Sequence, residues 1–304
     1  MATMRIAVVG AGGVGGYLAG KMLKAGLADV TLFARGPHLE AIRDKGLEVR
    51  DVDETFTVSP RTEPPAEGEC FDAVFLAVKQ YDFAAACERI APYVGEETVI
   101  VPLANGVGHR EVIEGYLPKG VVCDGCVYVI SHIQAPGIIR KKSPGFYLIF
   151  GREEITVGME QLATLLQESG LKTKLTPDAR YACWKKYLFI ALFATLTSYY
   201  EMPMERLYRE HRDEVEALLK EIRAVANAMG VPIGDEDIAK VRQQAENLPP
   251  NSKTSMQLDF EAGKKTELET LSGYIVHAGE KLGIETPLMR RYYDALRERE
   301  AASR

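Results

Sequence analysis

Three glycines spaced as Gly10-x-Gly12-x-x-Gly15 are the first residues of the chain whose type and order suit a chemical task. An apolar run at residues 6–9 leads into them and a helical pattern beginning near Tyr17 leads out, which reads as strand, tight turn and helix start. Gly10 permits the turn, Gly12 lets backbone amides approach a pyrophosphate, and Gly15 lets the helix pack close to the strand. The unpaired N–H groups and the positive end of the helix dipole then face the anion. Glycine-rich turns also arise for structural reasons, but a second apolar run at residues 30–33 follows within the span of a dinucleotide-binding unit. Gly10, Gly12, Gly13 and Gly15 are therefore the candidate cofactor contacts. The second run ends in Ala34-Arg35. A carboxylate there suits the ribose 2′-hydroxyl of NAD, whereas an arginine suits a 2′-phosphate, so Arg35 points to NADP(H). The plainer alternative is a solvated loop arginine.

Lys186 is a second candidate. It opens a segment, Trp184 to Ala194, that is apolar nearly all round, and it shares a helix face with Ile190 and Ala194 at i, i+4 and i+8. An ammonium bordering a dry cavity loses part of its preference for the charged form and becomes a workable general acid near neutral pH. A snorkelling lysine at a helix start is the bland alternative. Glu267 opens a helix after Gly263, where it could simply favour the helix dipole, and Ser255 could be a cap.

The bulk numbers frame these sites. The 304 residues are enough for two domains, and 46% hydrophobic with 26% charged residues is the composition of an ordinary soluble globular protein. A net charge of −6 gives no basic footprint, so nucleic acid is not an expected partner. The first residues enter a strand without a charged leader, and the longest apolar run, residues 187–196, is too short to cross a bilayer. A cytoplasmic protein with no membrane association is the expectation. Cys123-Asp-Gly-Cys126 has CxxC spacing, but apolar β-formers flank it and no second pair or histidine lies near, so it reads as packing. His38, His109, His132, His211 and His277 are isolated and suggest no metal site, although His109, just past Asn105-Gly106, could reach a cleft.

The elements that must position these residues alternate at first. Strands are expected at 71–78 and 98–101, a short helix at 37–45, and a small hairpin at 47–50 and 55–58, with β-rich chain over 121–150. This pattern argues for a doubly wound α/β sheet, in which ligands lie at the carboxyl ends of strands, and Lys79 and Asn105 stand at two such ends. From Pro177 onward the periodicity is helical, including a single charged amphipathic helix over 205–228. The expected organisation is a Rossmann-type α/β domain over residues 1–176 and an all-helical domain over 177–304.

The motifs together resemble the ketopantoate reductase (2-dehydropantoate 2-reductase) family over nearly the whole length. They are Gly-Ala-Gly-Gly-Val-Gly-Gly, Arg35, Lys79, Asn105-Gly106, Pro136-Gly137, Trp184-x-Lys186, Thr254-Ser-Met256, Asp259, Thr266-Glu267, Gly273 and Gly283 to Pro287, in this order. The resemblance implies a Rossmann domain followed by a helical domain with the substrate in the cleft between them, and NADPH-dependent reduction of a 2-oxo acid in pantothenate biosynthesis. It implies that Lys186 protonates the carbonyl oxygen, Glu267 orients the substrate, and Ser255 contacts the carboxylate side. Asn105 would lie between cofactor and substrate, and Lys79 near the cofactor phosphate. A hydride arriving at carbon creates an alkoxide that needs a proton and a cation, so these roles are physically coherent.

One departure stands out. Two asparagines that the family usually carries four and eight residues after the lysine are here Ile190 and Ala194. Lost polar anchors leave a substrate hydroxyl unpaired, at roughly 1–3 kcal/mol, so a less polar 2-oxo acid is an alternative substrate. A non-catalytic NADP(H)-binding sensor and a related dehydrogenase acting on a 3-hydroxy acid or an amine adduct are the competing readings. Helical second domains often pair, which makes a homodimer an open expectation.

Overall fold

The computed structural model of the protein describes residues 3–302. Its strands in chain order are β1 (Met4–Val9), β2 (Ala28–Phe33), β3 (Leu47–Arg50), β4 (Thr55–Val58), β5 (Phe71–Leu76), β6 (Val94–Pro102), β7 (Val121–Val122), β8 (Asp124–Tyr128), β9 (Ser131–Ala135), β10 (Ile138–Lys141), β11 (Tyr147–Gly151) and β12 (Thr173–Leu175). Helices α1 (Gly13–Ala25), α2 (Gly36–Lys45), α3 (Phe83–Ile90), α4 (His109–Glu114) and α5 (Val157–Glu168) lie among them. The chain then becomes helical: α6 (Ala179–Tyr200), α7 (Met204–Glu210), α8 (Arg212–Ala228), α9 (Asp235–Glu246), α10 (Ser255–Glu261), a π-helical turn at Glu269–Gly273, α11 (Tyr274–Leu282) and α12 (Pro287–Ala302). Two compact units result. One holds the chain up to Ala104 with Gly108–Arg180, and the other holds Asn105–Val107 with the chain from Tyr181 on.

The first unit is built on a parallel sheet in the order β2-β1-β5-β6-β7. Its strands are continuous apolar runs because both faces are covered. Alternate residues of β1 go to opposite cores: Ile6 and Val8 pack with Leu18 and Met22 of α1, and Ala7 and Val9 with Phe83, Cys87 and Ile90 of α3. Each fully buried Ile, Val or Leu contributes roughly 1.5–3 kcal/mol, so a polar residue on either face of β1 would be costly. This is the doubly wound α/β architecture expected from the alternation of elements.

Two smaller sheets complete the unit. The hairpin β3–β4 forms as expected and joins β10 and β9 in the order β4-β3-β10-β9, while β8, β11 and β12 form a three-stranded sheet. The first of these abuts α1, whose glycines make that approach feasible. A Cβ on Gly13 would lie 2.3 Å from the Ser131 carbonyl oxygen, one on Gly16 2.7 Å from Ile139, and one on Gly20 2.6 Å from Val49. Cys123 and Cys126 are buried among these strands and are not joined in a disulfide, and burial pushes the Cys123 thiol up to about 12.

The helical unit differs from the sequence expectation over residues 205–228. The span 205–228 is two helices, α7 and α8, broken at His211, whose backbone leaves the helical region (φ −123°, ψ 37°). The His211 ring stacks on Tyr200 at 3.9 Å between centroids, and its Nδ1 lies 3.6 Å from Glu214. Charge periodicity continues through such a break, so it gave no warning. The buried face of α8, with Val215, Leu218, Leu219, Ile222 and Val225, is the apolar side read from the pattern.

Candidate active site

In the first unit the glycine loop lies at the carboxyl end of β1. Gly10 has a left-handed φ of +105°, and a Cβ there would sit 2.7 Å from the Ala77 carbonyl oxygen, so the turn out of β1 requires glycine. A Cβ on Gly15 would come within 2.0 Å of the Gly10 carbonyl oxygen, which accounts for the third glycine as close helix packing. Gly12 is different. A Cβ there would meet nothing within 4 Å, so its space is left open beside the first turn of α1. That turn has no acidic residue and no side-chain cap, and the first N–H groups of a helix lack intrahelical partners. An open cradle at a helix N-terminus with a positive dipole end fits a pyrophosphate. Gly13, by contrast, is glycine because of the Ser131 carbonyl beside it.

Arg35 immediately precedes α2, just past β2, and is strongly exposed, with its Nη2 donating to Asp82 Oδ2 at 3.0 Å. Lys79 stands three residues beyond β5, immediately before the short 3-10 turn Gln80–Asp82. Both candidates for phosphate contact are therefore on loops past the carboxyl ends of parallel strands, where this fold binds ligands.

His38, which sequence reading passed over, holds the glycine loop. The Gly137 N–H donates to its Nδ1 at 2.9 Å, so the ring proton lies on Nε2, which donates to the Ala11 carbonyl at 2.8 Å. The ring is thus a neutral strut between α2, the loop and the β9–β10 turn. Burial lowers its pKa, partly offset by the bond to Ala11. The only sequence hint is its place three residues after Arg35, and both partners are backbone atoms. His109 is buried at the start of α4, edge-on to Phe83 at 5.2 Å.

The second unit brings together residues far apart in sequence. Asn105 follows β6 in a loop turned by Gly106 and Gly108, both left-handed, and it belongs to the helical unit. Its Oδ1 accepts a hydrogen bond from Lys186 Nζ at 3.0 Å. Lys186 is half-buried on α6, whereas Lys185 beside it places its ammonium 4.6 Å from the Tyr181 ring centre. The neighbouring Tyr187 is fully buried, and its hydroxyl donates to the Leu271 carbonyl at 2.5 Å. That carbonyl lies in the π-helical turn, whose irregular ladder leaves acceptors for such a bond, and π turns are frequent at functional sites. Thr195 of α6 also meets Ser272 at 2.7 Å. Glu267 precedes this turn and is almost wholly buried, and its own carbonyl accepts from Leu271 N–H. Thr266 beside it bonds Glu300 through both its N–H and its hydroxyl at 2.8 Å.

Ser255 is not the cap of α10. Thr254 is, accepting from Gln257 N–H at 3.2 Å, and its hydroxyl also meets Thr197 of α6 at 2.9 Å. Ser255 is then the first helical residue and exposed, its hydroxyl left out of the capping. Ile190 is half-buried and Ala194 buried on α6, one and two turns beyond Lys186. The helical unit thus holds an amine against an amide on a helix that is largely apolar, and elsewhere in the same unit it buries the carboxylate of Glu267. An amine so held can deliver a proton to an oxygen and balance the charge on it. Among the described residues no group of three or more His, Cys, Asp or Glu side chains is arranged to hold a metal ion, and no helix is long and apolar enough to cross a membrane.

The family model described as ketopantoate reductase PanE/ApbA matches residues 6–152, and the model of that family's C-terminal part matches residues 178–300. The chain is 29% identical over 303 residues to YkpB of Bacillus subtilis, named an uncharacterised oxidoreductase, covering 98% of this chain and 99% of that one. The crystal structure of 2-dehydropantoate 2-reductase from Porphyromonas gingivalis is 32% identical with a TM-score of 0.84, covering 96% of this chain and 99% of that one. A PanE/ApbA family ketopantoate reductase from Ralstonia eutropha superposes with a TM-score of 0.90 at 28% identity, covering 99% of each chain.

Proposed function

Because the chain belongs to the ketopantoate reductase family and is an oxidoreductase, we propose that it uses NADPH to reduce the carbonyl of a 2-oxo acid to a 2-hydroxy acid, with Lys186 as proton donor. The observation that carries this reading is the 3.0 Å bond from Lys186 Nζ to Asn105 Oδ1. It joins two residues, 81 positions apart, that were nominated on separate grounds. NADPH supplies the hydride. The glycine loop and the first turn of α1 would hold its pyrophosphate, Arg35 would favour the 2′-phosphate, and Lys79 would lie near the cofactor phosphate.

Asn105 fixes the ammonium through its amide oxygen, which accepts one of the three Nζ protons. Lys186 gives a proton to the carbonyl oxygen as negative charge gathers on it. Glu267 orients the substrate, and Ser255, with its hydroxyl uncommitted to the cap, meets the carboxylate side. Ile190 and Ala194 make the neighbouring wall apolar, which favours a 2-oxo acid without a hydroxyl on its chain.

Comparing kcat/KM for ketopantoate with that for 2-oxo acids lacking its hydroxyl tests the substrate assignment. A higher value for the latter is expected, and a strong preference for ketopantoate overturns it. Ile190→Asn should shift the ratio toward ketopantoate by roughly tenfold, the worth of one recovered hydrogen bond.

A further inference from the structure

Arg35 is not the only charge where the 2′-phosphate is expected. Its guanidinium, 87% exposed, is held by the carboxylate of Asp82, which is 29% exposed and 47 residues further along the chain. Asp82 ends the 3-10 turn that follows Lys79, and its N–H bonds the Lys79 carbonyl at 2.9 Å. The turn bearing the second phosphate candidate therefore also sets the position of an anion against the first.

We propose that Asp82 is a specificity-determining residue that opposes Arg35 and narrows the preference for NADPH over NADH, an inference that rests on assigning Arg35 to the 2′-phosphate. Three effects act with the same sign. A phosphate reaching Nη2 must displace the carboxylate or share the donor with it. Its negative charge approaches that of Asp82. A ribose 2′-hydroxyl meets neither penalty, and as a donor it suits a carboxylate acceptor. Like charges about 5 Å apart at a partly exposed site, tempered by the guanidinium between them, correspond to roughly three- to tenfold in relative affinity.

The test compares kcat/KM for NADPH and for NADH in the wild type, Asp82→Asn, Asp82→Glu, Arg35→Ala and the double variant Arg35→Ala/Asp82→Asn. Asp82→Asn should raise the NADPH/NADH ratio of kcat/KM roughly three- to tenfold, and Asp82→Glu should stay near the wild type. Most of the effect should vanish in the Arg35→Ala background, where no guanidinium remains to compete for. A ratio that is unchanged or lowered by Asp82→Asn while Arg35→Ala lowers it overturns the role of Asp82 and leaves the cofactor reading standing. A ratio unchanged by Arg35→Ala removes the cofactor reading, and this inference with it.

Discussion

Gly12 and Gly15 belong to one glycine motif but do different work, and replacing each by alanine separates binding from folding. A methyl group on Gly15 would stand 2.0 Å from the Gly10 carbonyl oxygen and 2.8 Å from Ala77 Cβ, with backbone on one side, so β1 and α1 must part. Overpacking of this severity costs about 3 kcal/mol or more, which for a unit of this size lowers Tm by roughly 6–12 °C. A methyl group on Gly12 meets nothing within 4 Å, and its backbone (φ −68°, ψ −171°) is open to any residue. Gly12→Ala should therefore hold Tm or raise it by a few degrees, since Gly→Ala at a compatible site adds about 0.4–1 kcal/mol. The same methyl occupies the cradle assigned to the pyrophosphate, so NADPH affinity should fall at least tenfold, about 1.4 kcal/mol. Thermal melts and NADPH titration of both variants are the assay. A Gly12→Ala protein that binds NADPH as tightly as the wild type refutes the placement of the pyrophosphate, whatever Gly15→Ala does.

Two further expectations concern positions outside the motif. His38 accepts a backbone N–H at Nδ1, and its pKa is lowered by burial, so the fold favours the neutral ring. Its contribution to stability is complete above the ordinary value of 6.5 and is lost as pH falls through the lowered folded value, because the unfolded chain takes up the proton first. His38→Gln should flatten the fall in Tm below about pH 6.5, and an acid limb of the same slope in variant and wild type contradicts the strut. Thr254→Ala removes the α10 cap and a bond to Thr197, and should cost about 1–2 kcal/mol, whereas Ser255→Ala should leave Tm within about 1 °C. Equal losses in chemical denaturation would reverse the assignment of the cap.

Much of the fold was legible because it rests on local pattern. Continuous apolar runs identified β1, β2 and β5, and the glycine spacing with its flanks located the loop at the end of β1. The strand read at 98–101 is longer, Val94–Pro102, since Gly95, Glu96 and Glu97 interrupt the apolar run while the backbone stays extended. Residues whose reason for being there is a distant backbone atom left no trace. Gly13 and Gly16 look like parts of the dinucleotide motif, yet their neighbours are Ser131 and Ile139, more than a hundred residues on. His38 is silent for the same reason, as Ala11 and Gly137 offer it only main-chain groups. In the helical unit the apolar character of α6 was plain. The π turn that receives the Tyr187 hydroxyl was not, because a single wide turn leaves the apolar spacing on either side nearly unchanged.

The measurement that bears most directly on the account is NADPH oxidation with a panel of 2-oxo acids by the wild type and by Lys186→Ala, with NADPH affinity determined for both. Turnover by the wild type should fall roughly 10²–10⁴-fold in the variant, the usual worth of a positioned general acid, with the affinity for NADPH held within about twofold. A variant that reduces the same acid at the wild-type rate would contradict the assignment of the proton to Lys186.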